Sequence, residues 1–106
     1  MFINTGNLPQ KELAEGVTTN VAWGEKLMLS FVKLNPNATV PPHRHPHEQM
    51  ALVLSGKLEV TIADESRLLK EGDAFLVPSD VEHGAKNLES QTRVLDIFSP
   101  PREDLK

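Results

Sequence analysis

No cysteine occurs anywhere in the chain. Disulfides, iron–sulfur clusters and thiolate zinc sites are thereby excluded, and any metal must be held by histidine, carboxylate or amide ligands. Basic residues are neither abundant nor clustered. The 11 Lys and Arg face 15 Asp and Glu, for a formal net charge of -4, so nothing points to a nucleic-acid surface. Met1 to Gly6 lacks the basic segment and apolar core of a secretory leader. No apolar run approaches the roughly 20 residues of a membrane span. A soluble, cytoplasmic protein is expected, without nucleic-acid or membrane partners. Internal repeats, linkers, low-complexity segments and long helical patterns are missing too. The 106 residues suit one domain. A chain of this length buries roughly 60–70% of its unfolded surface, enough for a core without staples.

What is present is a succession of short strand patterns. Residues 1–16 read as a polar N-terminal extension, in which Gln10 to Glu15 suggests one short helical turn. Val17 to Trp23 and Lys26 to Leu34 read as paired strands around a Gly24-Glu25 turn. Leu27 to Val32 is apolar on both faces, as expected of a central strand or of one covered by a second subunit. Met50 to Leu54 reads as a fully buried strand. Lys57 to Ile62 alternates, apolar at 58, 60 and 62. Arg67 to Lys70, Ala74 to Val77, Val81 to Ala85 and Gln91 to Phe98 follow, separated by turn residues. Two prolines stop any sheet from continuing into a C-terminal tail, 99–106. Short strands with turn signals every eight to twelve residues indicate an all-β sandwich or barrel.

Three of the four histidines fall in Pro41-Pro42-His43-Arg44-His45-Pro46-His47-Glu48-Gln49. In an extended strand His43, His45, His47 and Gln49 share a face, while Arg44 and Glu48 point the other way. This reads as a row of metal ligands, the alternative being a solvated histidine-rich loop. Glu48 would ligate only through a bulge, and His47 lies on the ligand face but behind Pro46. The fourth histidine, His83, closes a second stretch that begins at Gly72.

The two stretches resemble the paired motifs of the cupin superfamily, G-x5-H-x-H-x(3,4)-E-x6-G and G-x5-P-x-G-x2-H-x3-N. His43, His45, Gln49 and Gly56 fit the first, with Gln in place of Glu and Asn37 at the opening Gly. Gly72, Pro78, His83 and Asn87 fit the second, with Asp80 at its inner Gly. Asn and Asp tolerate left-handed turn geometry, so both replacements are compatible with the motifs. The resemblance implies a single-domain double-stranded β-helix, the jelly-roll barrel. It further implies one divalent transition metal (Zn, Ni, Fe, Mn or Co) bound by His43, His45, Gln49 and His83. Four uncharged donors would leave the metal's two positive charges intact, which favours an anionic substrate.

In the last strand, Asp96 stands among apolar residues, where a carboxylate is costly unless paired. It is half of a buried ion pair or a cap for a local turn, with Arg67, Arg93 or Arg102 as partner, or else an acid–base group facing the metal. The run Asp96-Ile97-Phe98-Ser99-Pro100-Pro101-Arg102-Glu103-Asp104, with His-Pro-His-Glu-Gln at 45–49, is similar to the KdgF-type cupins of pectin and alginate breakdown. That resemblance implies conversion of 4,5-unsaturated monouronates to linear keto-uronates, an isomerase-type ring opening. It assigns catalysis to Asp96 and Arg102, and substrate binding to Phe98 and Arg102. A small anionic sugar acid is the expected ligand, and a homodimer the expected assembly. Two other classes stay open: a metal-dependent module that binds a small acid without turnover, and a cupin oxygenase.

Overall fold

The computed structural model describes all residues, 1–106. Ten strands form two antiparallel sheets: β1 (Gln10–Ala14), β2 (Val17–Trp23), β3 (Met28–Leu34), β4 (Thr39–His43), β5 (Glu48–Ser55), β6 (Lys57–Ile62), β7 (Glu65–Lys70), β8 (Ala74–Val77), β9 (His83–Asn87) and β10 (Thr92–Ser99). The larger sheet runs β1-β2-β3-β10-β5-β8 and the smaller β4-β9-β6-β7. Consecutive strands lie in different sheets at several points, which gives the expected jelly-roll barrel.

The period-two pattern decides which side chains fill the barrel. Val17, Thr19 and Val21 of β2 and Met28, Ser30, Val32 and Leu34 of β3 are buried. Val32, Leu34, Ala51, Leu58, Val60 and Val94 meet between the sheets as the main core. A second cluster, Val21, Met28, Phe98 and Leu105, sits at the other end. Leu105 comes from the tail, which turns back after Pro101 and ends in a 3-10 turn, Glu103–Leu105.

Three local expectations need correction. Gln10–Ala14 is no helical turn but the edge strand β1, paired with β2 in a register broken between Glu12 and Ala14. Its residues are mostly exposed, so they carry no apolar alternation by which a strand is recognised. Met50 to Leu54 is not buried throughout. Ala51 and Val53 face the core, while Met50, Leu52 and Leu54 are exposed. Finally, the histidine stretch is not one strand: β4 ends at His43 and β5 starts at Glu48, leaving 44–47 as a bend.

The motif turns behave as the substitutions require. Asn37 and Asp80 have φ of 64° and 63°, beside Gly56 at 86° and Gly72 at 88°.

Candidate functional site

His43 and His83 are cross-strand partners, the last residue of β4 against the first of β9. Their rings stand 4.3 Å apart. His45 reaches the same point from the bend, with its ring 4.8 Å from that of His83. The bend is tied to the opposite segment by the Asp80 amide, which donates to the His45 carbonyl at 2.8 Å. The left-handed backbone at Asp80 is therefore part of what sets His45.

Each ring is fixed the same way. Nδ1 of His43 donates to the Pro41 carbonyl at 3.0 Å, that of His45 to the His47 carbonyl at 3.0 Å, and that of His83 to the Val81 carbonyl at 2.9 Å. With Nδ1 protonated, the lone pair lies on Nε2, the tautomer that outer hydrogen bonds impose on metal-binding imidazoles. The possible donor atoms of the three residues lie within 4.8 Å of one another. Burial holds His45 below the ordinary histidine pKa and His83 down to about 4, with repulsion from neighbouring positive groups adding to it. Both are neutral at pH 7.

Two observations test whether a cation fits here. The Nε2 of His83 is buried and has no hydrogen-bond partner. The Nε2 of His45 and the Oε1 of buried Gln49 face each other at 3.2 Å. Both are lone-pair acceptors once Nδ1 of His45 holds the proton, so neither satisfies the other. Buried polar groups ordinarily find partners. A divalent ion is what this set of neutral nitrogen and oxygen donors suits.

The centre opens on a cavity of about 450 Å³ whose lining includes His43, Gln49, His83, Asp96, Phe98 and Arg102. Asp96 lies opposite Ser30 of β3 and Ala51 of β5. Burial pushes its carboxyl up to about 7, against the pull of the Gln49 side chain and the Arg102 charge. Phe98 is buried, edge-on to His45 at 5.6 Å, and carries the Arg102 guanidinium 5.0 Å from its ring centroid.

Residues 30–98 match the family described as Cupin domain. The chain belongs to the cupin family. This cupin is 38% identical over 98 residues to the pectin degradation protein KdgF of Dickeya dadantii (strain 3937), a match covering 91% of the chain and 89% of that protein. It superposes on the structure of KdgF from Halomonas sp. with a TM-score of 0.91 and 34% identity, covering 100% and 98% of the two chains. An RmlC-like cupin from Shewanella frigidimarina NCIMB 400 superposes with a TM-score of 0.92 at 27% identity, covering 99% and 95%. The resemblance to KdgF-type cupins read from the motifs therefore holds over nearly the whole chain.

The structure of this cupin brings His43, His45, Gln49, His83, Asp96, Phe98 and Arg102 to one mouth. Two neighbours stay outside the cluster. Glu48 is exposed, and His47 contributes its carbonyl to His45. The ion-pair reading of Asp96 is corrected: Arg67 pairs with Glu65 and Arg102 with Asp104, while Asp96 joins no ion pair. Three contributions escaped sequence reasoning. Residues 11–14 of β1 form part of the cavity wall, Ser30 lines it from β3, and Asp104 meets Arg102 at its rim. Only Asp104 left a trace in the sequence, as the last residue of the tail run.

Proposed function

We propose that this cupin is a metal-dependent isomerase converting 4,5-unsaturated monouronates from pectin or alginate breakdown to linear keto-uronates. The observation that carries this reading is the meeting, in one cavity, of four uncharged donors, a carboxyl poised near neutrality and a guanidinium. KdgF of Dickeya dadantii, a pectin degradation protein by name, supports it from the side of sequence.

His43, His45, Gln49 and His83 would hold one divalent metal, which supplies Lewis-acid polarisation of a substrate oxygen without a change of oxidation state. Arg102 receives the substrate carboxylate with its planar fork. Phe98 backs that guanidinium and offers an apolar edge to the sugar ring. Asp96 moves one proton. It accepts the proton of the anomeric hydroxyl as the C1–O5 bond breaks, and returns it to C4 as C5 becomes a ketone. The product has the formula of the substrate, so no co-reactant is needed. A carboxyl near pH 7 is suited to both halves of this transfer.

The test follows loss of the enol absorbance on adding unsaturated galacturonate or mannuronate to metal-loaded protein. Asp96→Asn should lose about 10²–10⁴ in rate while retaining its metal. Normal turnover by that variant would remove Asp96 from the mechanism. Binding without turnover by the wild type would leave the small-acid-binding module. Oxygen uptake after iron loading would leave the oxygenase.

The proposed assembly is a homodimer. Met50 faces Ile97 and Leu76 across the outer side of the larger sheet, and Leu95 faces Phe31 and Leu52. Such a contiguous apolar face on a single-chain surface is characteristic of association. Leu52→Lys should yield a monomer in sedimentation; a wild type that is itself monomeric at assay concentration would defeat the proposal.

A further inference from the structure

We propose that Asp104 is a positioning residue that locks the Arg102 guanidinium side-on, so that its remaining fork is presented to a substrate carboxylate in the barrel mouth. This rests on the reading of Arg102 as the anion-binding group.

The contact is bidentate. Arg102 Nε donates to Asp104 Oδ1 at 3.3 Å and Nη2 donates to Oδ2 at 2.8 Å. A guanidinium has five N–H groups in fixed geometry. Asp104 therefore takes one edge and leaves both N–H of Nη1 and one of Nη2. These three make no hydrogen bond within the protein. One N–H of Nη1 and the remaining one of Nη2 form the end-on pair that matches a second carboxylate.

Burial separates the two partners. The Arg102 side chain is 16% exposed and that of Asp104 62%. Arg102 lies beneath, over Phe98, and its charge is felt at His45, His83 and Asp96. Asp104 grips from the solvent side. Partial burial works against its ionisation, yet hydrogen bonds and charge from Arg102 hold its carboxyl below the usual range. A long, flexible side chain is thereby fixed in one orientation before any ligand arrives.

The tail does not depend on this ion pair for its place. Leu105 is buried with Val21, Met28 and Phe98. Lys11 of β1 donates to the main-chain oxygens of Asp104 and Lys106 at 3.1 and 2.9 Å. The Leu105 amide bonds the Arg102 carbonyl at 3.1 Å. Changing the side chain at 104 leaves all of these in place.

Charge counting and positioning predict opposite signs. Asp104→Asn removes a negative charge from the rim, which by itself would tighten an anion. Positioning predicts that it loosens one, because an amide offers one acceptor where the fork requires two. The experiment titrates D-galacturonate, and galactose as its uncharged counterpart, into metal-loaded protein by calorimetry. Asp104→Asn should weaken galacturonate about 10-fold, in keeping with loss of one charge-assisted bidentate pair, and leave galactose binding and metal content unchanged. Asp104→Glu, which keeps both oxygens on a longer arm, should fall between Asn and wild type. In an Arg102→Ala background, Asp104→Asn should cause no further weakening.

Unchanged or tighter galacturonate binding by Asp104→Asn overturns the proposal. Equal weakening of galactose, or equal weakening with Arg102 already removed, does so too. A wild type that fails to bind galacturonate overturns the anion site and this inference with it. Wild type that binds galacturonate through Arg102 and Asp104 but leaves unsaturated uronates unchanged keeps the inference and defeats only the ring-opening reaction.

Discussion

His83 and Asn87 stand at the two ends of β9, roughly 13 Å apart at strand spacing, and both are buried. Their hydrogen bonding differs completely. The two N–H groups of the Asn87 amide are shared among the carbonyls of Leu34, Asn35 and Ser90, and its Oδ1 accepts from the Thr92 hydroxyl at 2.7 Å. Thr92 also reaches the Lys57 carbonyl. Asn87 and Thr92 together thus join the ends of β3, β6 and β10. His83 satisfies only Nδ1 and leaves Nε2 buried without a partner. A buried polar group with every bond closed holds the fold together. One with a bond left open, aimed at two other imidazoles, is waiting for a ligand.

That contrast breaks most visibly at His83. Replacing it with Ala should lower metal affinity by more than about 100-fold, since even the outer partners of a metal ligand are worth ~10–100-fold. The thermal stability of the metal-free protein should fall much less than in the Asn87 variant, because the ring takes only one hydrogen bond with it, from Nδ1 to the Val81 carbonyl. Equilibrium dialysis and calorimetric melting in chelator check the two halves. The mirror experiment is Asn87→Ala. It strands several buried groups at once, each worth about 1–3 kcal/mol, and a loss of about 3 kcal/mol is expected in denaturant titration. Metal affinity of the folded fraction should not change. If the Asn variant lost metal and the His variant lost stability, the division of labour along β9 would be wrong.

The two ends were unequally legible in the sequence. His43, His45, Gln49 and His83 stood out because their intervals fit the paired cupin motifs. Asn37 and Asp80 were legible for a related reason, since a left-handed turn accepts few side chains. The alternation at Leu58, Val60 and Ile62 gave β6 directly. The bend at 44–47 was not visible. Parity in an extended chain puts His43 and His45 on one face just as the folded bend brings them together, so one outcome follows from two geometries. The outward face of β5 was hidden as well. Met50, Leu52 and Leu54 are as apolar as core residues, and composition does not say which face is covered. Arg102 and Asp104 are neighbours in sequence, but they reach the mouth on a tail that Leu105 docks against Phe98, a consequence of tertiary packing that no local pattern announces.

A smaller effect sharpens the contrast inside the mouth itself. In metal-free protein His83 and Asp96 impose opposite pH dependences. His83 protonates at about 4 when folded but near 6.5 when unfolded. The unfolded chain therefore binds more protons between those values, and stability from His83, complete above pH 6.5, is lost as pH falls toward 4. His45, also shifted down, adds to that slope. Asp96 titrates at about 7 when folded against 3.8 unfolded. Here the folded chain holds the extra proton, and its stability contribution is lost as pH rises from 3.8 through 7. The wild type in chelator should show a flattened profile. Asp96→Asn should expose stability that rises with pH over this range. His83→Gln should weaken the histidine slope and tilt the profile the other way. Melting temperatures taken from pH 4 to 7.5 decide it, and parallel profiles for the two variants would refute the opposition.

The smallest effect separates the two motif glycines, which have nearly the same backbone but different surroundings. Gly56 has φ of 86° and Gly72 of 88°, so alanine at either position carries the left-handed penalty of about 1–2 kcal/mol. At Gly72 nothing lies within 4 Å of the added methyl, and that penalty is the whole cost. At Gly56 the methyl would stand 2.5 Å from the Thr92 hydroxyl and 2.7 Å from the Gln91 carbonyl. The hydroxyl is the one that closes the Asn87 network, and the carbonyl belongs to the main chain, so neither yields without cost to the satisfied end of the barrel. Gly56→Ala should therefore be much the more destabilising of the pair, and Gly72→Ala should cost only that penalty of about 1–2 kcal/mol. Equal losses in denaturant titration would mean that backbone conformation alone dictates both glycines, and that the Asn87–Thr92 end is softer than its hydrogen bonds imply.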